Sequence, residues 1–204
     1  MYKVFFKRII DFCAALVILI ILSPIALIVC LVILLINKEN PFFYQKRPGK
    51  NEKIFSIIKF KSMTDKKDRN GKLLPNEERV TKFGSFIRKT SLDEIPQLIN
   101  IIKGEMSLIG PRPLRVHYLP YYTEEEQIRH SVRPGITGLA QISGRNLLSW
   151  DDKLAKDIEY VNKLSFLTDV SIFCKTIRKL FIYDNTVYDP RMLDLDELRK
   201  PSIK

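Results

Sequence analysis

Several scarcities in this 204-residue chain narrow its chemistry. Cysteine occurs three times, at Cys13, Cys30 and Cys174, and no pair has CxxC or metal-ligand spacing. All three read as reduced packing residues. Histidine occurs only as His117 and His130, so a zinc site is not expected. Acidic residues are outnumbered, 23 Asp and Glu against 34 Lys and Arg, for a formal net charge of +11. Such a chain attracts anions: nucleic acid, anionic lipid or phosphorylated substrates. No internal repeat is visible.

Charge is missing altogether from Phe12 to Ile36. As a helix this stretch reaches roughly 37 Å, enough to cross a bilayer core. It is too long for a signal peptide, and no small-x-small cleavage site follows it. One spanning helix is the plain reading. Two features oppose it. Ser23-Pro24 lies near the centre, where proline removes a backbone hydrogen bond. Basic residues also flank both ends: Lys3, Lys7 and Arg8 before, Lys38, Lys46, Arg47, Lys50 and Lys53 after. The positive-inside rule is best satisfied with both ends cytoplasmic, which requires a re-entrant helix-break-helix. Asp11, at the edge of the run, needs a partner, and Arg8 at i−3 is in reach.

Beyond Pro41, Gln45 to Gly49 reads as a basic turn and Lys53 to Lys61 as a strand with Lys59 and Lys61 on one face. A polar loop from Asp65 to Pro75 precedes a helix expected over Glu77 to Lys89, which Arg88 ends. Arg88 serves either the helix dipole, a salt bridge to Asp93 or a phosphate. Ser91-Leu92-Asp93-Glu94-Ile95-Pro96-Gln97-Leu98 then places two adjacent carboxylates at a helix start. Ser91 and Glu94 have capping-box spacing, so the acids can be purely structural. Pro96 fits better if Asp93 is the N-cap, since proline is tolerated in a first turn. The helix is expected to run to Lys103, with Gly104 as its C′ residue. Pro111-Arg112-Pro113 fixes the backbone around a guanidinium suited to bidentate phosphate binding, or simply makes a rigid surface turn.

Glu124 to His130 reads as a short polar helix. The run from Arg133 to Arg145, with Gly135, Gly138 and Gly144, is a loop whose backbone can approach a nucleotide closely, or an ordinary compact loop. Ser149 opens a helix to about Lys163 that carries Asp157, read as a buried partner for Arg112 or Arg145. Asp169 to Tyr183 is a basic amphipathic helix suited to a membrane surface or a core. Residues 184–204 form a polar tail, partly disordered.

The Ser91–Leu98 run, Lys103 to Pro113 and Arg133 to Gly138 together resemble the bacterial sugar transferases, the monotopic polyprenol-phosphate phosphoglycosyl transferases. The likeness extends from the apolar segment to about Phe173 and is to the small members of the family. The family commonly carries Trp where this chain has Leu139. Lys59-Phe60-Lys61-Ser62-Met63 also matches a family motif near the active site. The resemblance implies a re-entrant helix broken at Ser23 and Pro24. It also implies Asp93 as the nucleophile, with Glu94 assisting through Mg²⁺ or proton handling, and Asp93 and Glu94 as the metal-binding pair. Arg112, Arg88, Lys59 and Arg145 become candidate phosphate ligands, and Arg133, Gly135 and Gly138 border the nucleotide.

The expected fold is α+β, mostly helical with a small sheet. Residues 1–40 form the membrane helix, 41–183 the catalytic domain and 184–204 the tail. The expected reaction moves a phosphosugar from a UDP-sugar to polyprenol phosphate at the cytoplasmic face of a bacterial inner membrane, releasing UMP. Partners are therefore the UDP-sugar, polyprenol phosphate and membrane lipid; nucleic acid is not expected, and a homodimer stays open. The alternative is a non-catalytic, membrane-tethered basic module that binds anionic lipid or nucleic acid. It gives no reason for adjacent acids beside a proline-braced arginine.

Overall fold

The computed structural model describes residues 1–144, 147–181 and 194–199. A π-type turn, Tyr2–Phe6, leads into α1 (Lys7–Asn37), which contains Pro24. Pro24 has no N–H to offer the Ile20 carbonyl. The Ser23 hydroxyl donates to that carbonyl instead, at 2.8 Å. The two helices expected on either side of Ser23-Pro24 are therefore one continuous helical element, because Ser23 supplies the bond that Pro24 removes.

Burial along α1 is confined to its ends. Lys7, Asp11 and Ala15 are buried, then Val29 and Ile33, while Ile20, Ile21, Leu27 and Ile28 between them are exposed. Both ends are tied to the rest of the molecule. Arg8 donates to the carbonyls of Ile101 and Ile102 at 2.6 and 2.8 Å. It does not pair with Asp11 as expected. Asp11 instead accepts from the Ser107 hydroxyl at 2.6 Å and the Leu108 N–H at 3.2 Å, because the chain returns beside it there. At the far end Lys38 adopts the left-handed conformation that closes the helix, and Glu39 pairs with Lys61 at 3.2 Å.

β1 (Phe42–Pro48) and β2 (Ile54–Phe60) form an antiparallel hairpin with Tyr44 opposite Ile58. The basic turn expected at Gln45–Gly49 is thus strand as far as Pro48. Proline is tolerated at that terminal position, and the turn itself is closed by Gly49 N–H donating to the Lys53 carbonyl. Next come α2 (Asn76–Arg79) and α3 (Lys82–Lys89). The single helix expected here is split because Val80 bridges to Met63 and Thr81 caps α3 through the Gly84 N–H, at 2.8 Å.

α4 (Gln97–Lys103) ends at Gly104 in the left-handed conformation, as expected. The buried Asn100 side chain accepts from Ile58 N–H at 3.0 Å and donates to Ser56 C=O at 2.8 Å, fixing α4 against β2. β3 (Ser107–Ile109) pairs in parallel with β4 (Gly135–Thr137); between them lies α5 (Glu124–Gln127), started by a Thr123–Glu126 capping box. α6 (Leu139–Ser143), α7 (Trp150–Asn162, N-capped by Ser149) and α8 (Phe166–Phe181) follow. On α8, Ile172 enters the core while Val170, Phe173 and Ile177 stay exposed. Most of the tail expected over 184–204 lies outside the described residues; within 194–199, α9 (Leu195–Leu198) buries Leu195 against Tyr118, Tyr122 and Leu154. The main core joins α1, β1, β2, α3 and α4, and the acidic pair sits on its edge.

Candidate active site

The acids are presented by a tight turn and not by the helix start itself. Ser91 is left-handed, with φ 57°, and caps nothing with its side chain, so the capping box does not form. Leu92–Glu94 make one 3-10 turn, and Pro96 becomes the N-cap of α4. Leu92, Ile95 and Leu98 all pack into the core, which turns Asp93 and Glu94 to the opposite side. The helix expected over Asp93–Lys103 is shortened accordingly.

The two acids then meet different surroundings. Lys59 reaches in from β2, with Nζ 2.6 Å from Glu94 Oε1 and 3.7 Å from Asp93 Oδ2. Arg112 Nη2 donates to the same Glu94 Oε1 at 3.0 Å. Burial pushes the Glu94 carboxyl up, but Arg112 and Lys59 outweigh it and hold it down at about 2. In return Glu94 raises the Arg112 guanidinium further above its ordinary value. Asp93 is pushed up by burial, with Glu94 adding to the rise and Lys59, Arg88 and Arg112 opposing it. Asp93 is 8% exposed and carries no hydrogen bond among the described residues. Glu94 is thus a fixed, ionised anchor, and Asp93 a carboxylate with its lone pairs uncommitted.

These residues fit a Mg²⁺ ion. Among the described residues no three His, Cys, Asp or Glu side chains gather as a metal cage. Mg²⁺ commonly takes only one or two carboxylates and completes its shell with water and substrate phosphate. Asp93 is uncommitted, and both cations use Glu94 Oε1, leaving Oε2 without a partner among the described residues.

Arg112 is held from behind. Pro111 and Pro113 are buried, and the Arg112 carbonyl accepts from Arg129 Nη2 at 2.7 Å. Arg129 is 3% exposed, donates twice to Asp157 Oδ2 at 3.1 and 2.8 Å, and lies over the Tyr122 ring. Asp157 therefore pairs with Arg129 and not with Arg112; α5 and the turn after it carry Arg129 into the interior. Arg145 lies outside the described residues.

The remaining candidates divide. Arg88 makes no ion pair with Asp93: its Nε donates to the Ser62 hydroxyl at 2.6 Å, and it acts on Asp93 only through its charge. Lys61 turns to Glu39 and Asp65. Arg133 Nε donates to the Gly104 carbonyl at 2.7 Å, at the far end of α4 from Asp93. Gly135 and Gly138 do permit a close approach, but to protein backbone: a Cβ on Gly135 would stand 2.1 Å from Gly110 N, and one on Gly138 2.1 Å from Gly110 O. Those glycines let β3 and β4 pack.

The description bacterial sugar transferase matches residues 2–183, which takes in the whole of this constellation. The chain belongs to the bacterial sugar transferase family. An uncharacterized sugar transferase, EpsL, of Bacillus subtilis (strain 168) is 49% identical over 176 residues, covering 86% of this chain and 87% of the relative. The exopolysaccharide production protein ExoY of Rhizobium meliloti (strain 1021) is 38% identical over 188 residues, 84% of this chain and 83% of the relative. A UDP-glucose:undecaprenyl-phosphate glucose-1-phosphate transferase of Klebsiella pneumoniae is 38% identical over 187 residues, 87% of this chain but 40% of that longer protein. This sugar transferase is accordingly an enzyme. Sequence reasoning missed Arg129, whose position in a polar run gives no signal of burial, and His130, which joins the wall of the Arg112 cleft only through the turn after α5.

Proposed function

We propose that this sugar transferase moves a phosphosugar from a UDP-sugar to polyprenol phosphate, undecaprenyl phosphate in the bacterial membrane, through a covalent aspartyl intermediate. The observation that carries the proposal is the asymmetry of the acidic pair. Asp93 is buried without a hydrogen bond among the described residues, while Glu94 beside it is locked to Lys59 and Arg112.

In the first step an Asp93 carboxylate oxygen attacks the phosphorus that bears the sugar. The bond from that phosphorus to the bridging oxygen breaks, and UMP leaves with the electron pair. In the second step a phosphate oxygen of polyprenol phosphate attacks the same phosphorus and displaces the Asp93 carboxylate. The products are polyprenol-diphosphate-sugar and UMP, and the enzyme is restored. Splitting the transfer in two avoids driving one phosphate oxyanion directly at a diphosphate. Arg112 and Lys59 stand where charge accumulates on the transferred group. Glu94, ionised to about 2, is no proton donor or acceptor near neutral pH, which favours a metal-binding role for it. Glu94 and Asp93 would hold a Mg²⁺ ion, which would supply charge neutralisation at the donor phosphates. Arg88 adds positive charge at longer range.

The membrane reading is monotopic, with α1 re-entrant and both termini cytoplasmic. Its support is the burial pattern: both ends of α1 are tied to one folded body, and the apolar middle leaves it exposed. Ser23-Pro24 lies in that exposed middle, where the backbone ladder is weakest. The exposed apolar residues of α8 suit the same interface. Release of UMP, measured across a panel of UDP-sugars with polyprenol phosphate present, tests the reaction. One productive sugar is the expected result, and no release from any of them would reject it.

A further inference from the structure

The chain from Arg112 to Arg129 is a closed loop. It leaves the active site at Arg112, and Arg129 Nη2 donates back to the Arg112 carbonyl at 2.7 Å. The middle of that loop packs away from the main core. Tyr118 and Tyr122 are buried in a small separate core with Leu154 of α7 and Leu195 of α9. Tyr122 supports Arg129 directly: the guanidinium lies over its ring, and Nη1 donates to its hydroxyl at 3.4 Å. Leu92 and Ile95, which flank the two acids, pack into the main core instead. The acids and Arg112 therefore rest on different supports.

Residues 194–199 grip this loop on both sides. Asp194 Oδ2 accepts from Arg115 Nη1 at 2.7 Å, just after Arg112. Arg199 holds the returning side. Its Nη1 and Nη2 donate to Glu126 Oε2 and Oε1 at 2.7 and 3.0 Å, and Nη1 also reaches the Tyr121 carbonyl at 3.3 Å. Nη2 makes a further contact with Asp151 of α7. Glu126 closes the capping box of α5, shortly before Arg129. Burial pushes the Glu126 carboxyl up, but Arg199 and the Thr123 N–H hold it below its ordinary value. Between the two grips Leu195 is fully buried. A helix as short as α9 has no stability of its own, so docking is what maintains it. The segment follows residue 183, where the family match ends, yet it braces a residue inside that match.

We infer that residues 194–199 are a clasp that sets the position of Arg112 for the transferred phosphate, with Leu195 and Arg199 as positioning residues that act through Tyr122 and Arg129. This rests on the phosphoglycosyl transfer proposed above. Asp157 fixes the guanidinium of Arg129, whereas the clasp fixes the loop backbone that carries both arginines. Releasing it leaves the acids in place and lets Arg112 drift from the oxygens where charge accumulates in the transition state. Small misplacements of such a group lower the rate of the chemical step steeply.

The test uses the full chain in lipid nanodiscs, assayed below the thermal midpoint of every variant. Leu195→Ala and Arg199→Gln should each lower kcat for UMP release by about 10-fold or more, with KM for the UDP-sugar within about threefold of wild type. Arg199→Lys, which keeps the charge but not the fork, should recover part of the loss. In an Arg112→Ala background there is no guanidinium left to position, so the same two substitutions should change kcat by less than about twofold. A purely structural tail would give the same fall in both backgrounds, and that result would overturn the inference. Wild-type kcat in folded Leu195→Ala and Arg199→Gln would overturn it too. Hydrogen exchange on the unaltered protein decides the matter even if neither variant folds. The Leu198 and Arg199 amides, bonded to the Asp194 and Leu195 carbonyls, should be protected as a docked unit. Exchange at the rate of an unstructured chain would mean there is no clasp. Equal turnover in wild type and variants defeats only the clasp, whereas no UMP release by wild type from any UDP-sugar defeats the reaction.

Discussion

Arg129 Nη2 donates to the main-chain carbonyl of Arg112 at 2.7 Å, so a fully interior ion pair holds the backbone of the residue that faces the acids. Arg129 has Asp157 as its only acidic partner among the described residues. Removing one member leaves a buried charge uncompensated, which costs about 3–5 kcal/mol. Asp157→Ala should therefore lower the thermal midpoint by about 6–20 °C for a chain of this size. Thermal unfolding in detergent, followed by circular dichroism, checks it; a midpoint within about 2 °C of wild type would mean that the pair holds nothing.

Arg112→Lys keeps the charge and loses the fork. One guanidinium nitrogen is already engaged by Glu94, and a lysine ammonium cannot hold Glu94 and a phosphate with the same planar geometry. We expect kcat/KM to fall by about 10²–10³, the loss typical of removing one charge-stabilising donor. The midpoint should stay near wild type, because the Arg129 bond is to backbone. Near-normal kcat/KM would make Arg112 a surface charge.

Asp93 and Glu94 should affect stability in opposite directions. A carboxyl held at about 2 against an ordinary 4.5 contributes about 3 kcal/mol at neutral pH, lost as pH falls from 4.5 towards 2. Glu94→Gln should therefore destabilise at pH 7. Asp93 is raised above 3.8, so the folded state binds its proton more tightly and stability falls as pH rises through the folded value. Asp93→Asn should accordingly stabilise at pH 7, by about 2–4 °C for each kcal/mol relieved. Its advantage should vanish as pH approaches 3.8 from above. Midpoints of the three proteins between pH 4 and 8 check the pattern, and a destabilised Asp93→Asn at pH 7 would contradict it.

Much of this was legible in the residues themselves. The uncharged run, the strand through Lys59, Gly104 as a C-terminal stop and Ser149 as an N-cap are local signals, and local geometry honours them. The acids and Arg112 were legible as a pair of motifs. Which acid takes the cations was not, because that depends on Lys59 arriving from β2 and on the left-handed turn at Ser91. Asp157 was recognisable as an acid in need of a partner, but its partner Arg129 lies in a run that reads as solvent-facing helix.

Pro24→Ala restores the backbone N–H that Ser23 now replaces and removes the weak point of an apolar helix long enough to cross. Impermeant-reagent labelling of tags before Tyr2 and after Lys204, in intact spheroplasts, should find both ends protected in wild type. In Pro24→Ala a fraction should label at one end. Labelling of one end in wild type would establish a spanning helix.

The central claim is that Asp93 is the nucleophile, and donor alone tests it most directly. Enzyme mixed with the productive UDP-sugar and Mg²⁺, without polyprenol phosphate, should release a burst of UMP approaching one equivalent per active site, because the acyl-phosphate has no acceptor. Mass spectrometry of the quenched protein should place a phosphosugar on the peptide containing Asp93, and Asp93→Asn should lose both signals. If UMP appears only after acceptor is added, and the Asp93 peptide is unmodified in active enzyme, attack comes directly from polyprenol phosphate and Asp93 is left as a metal ligand.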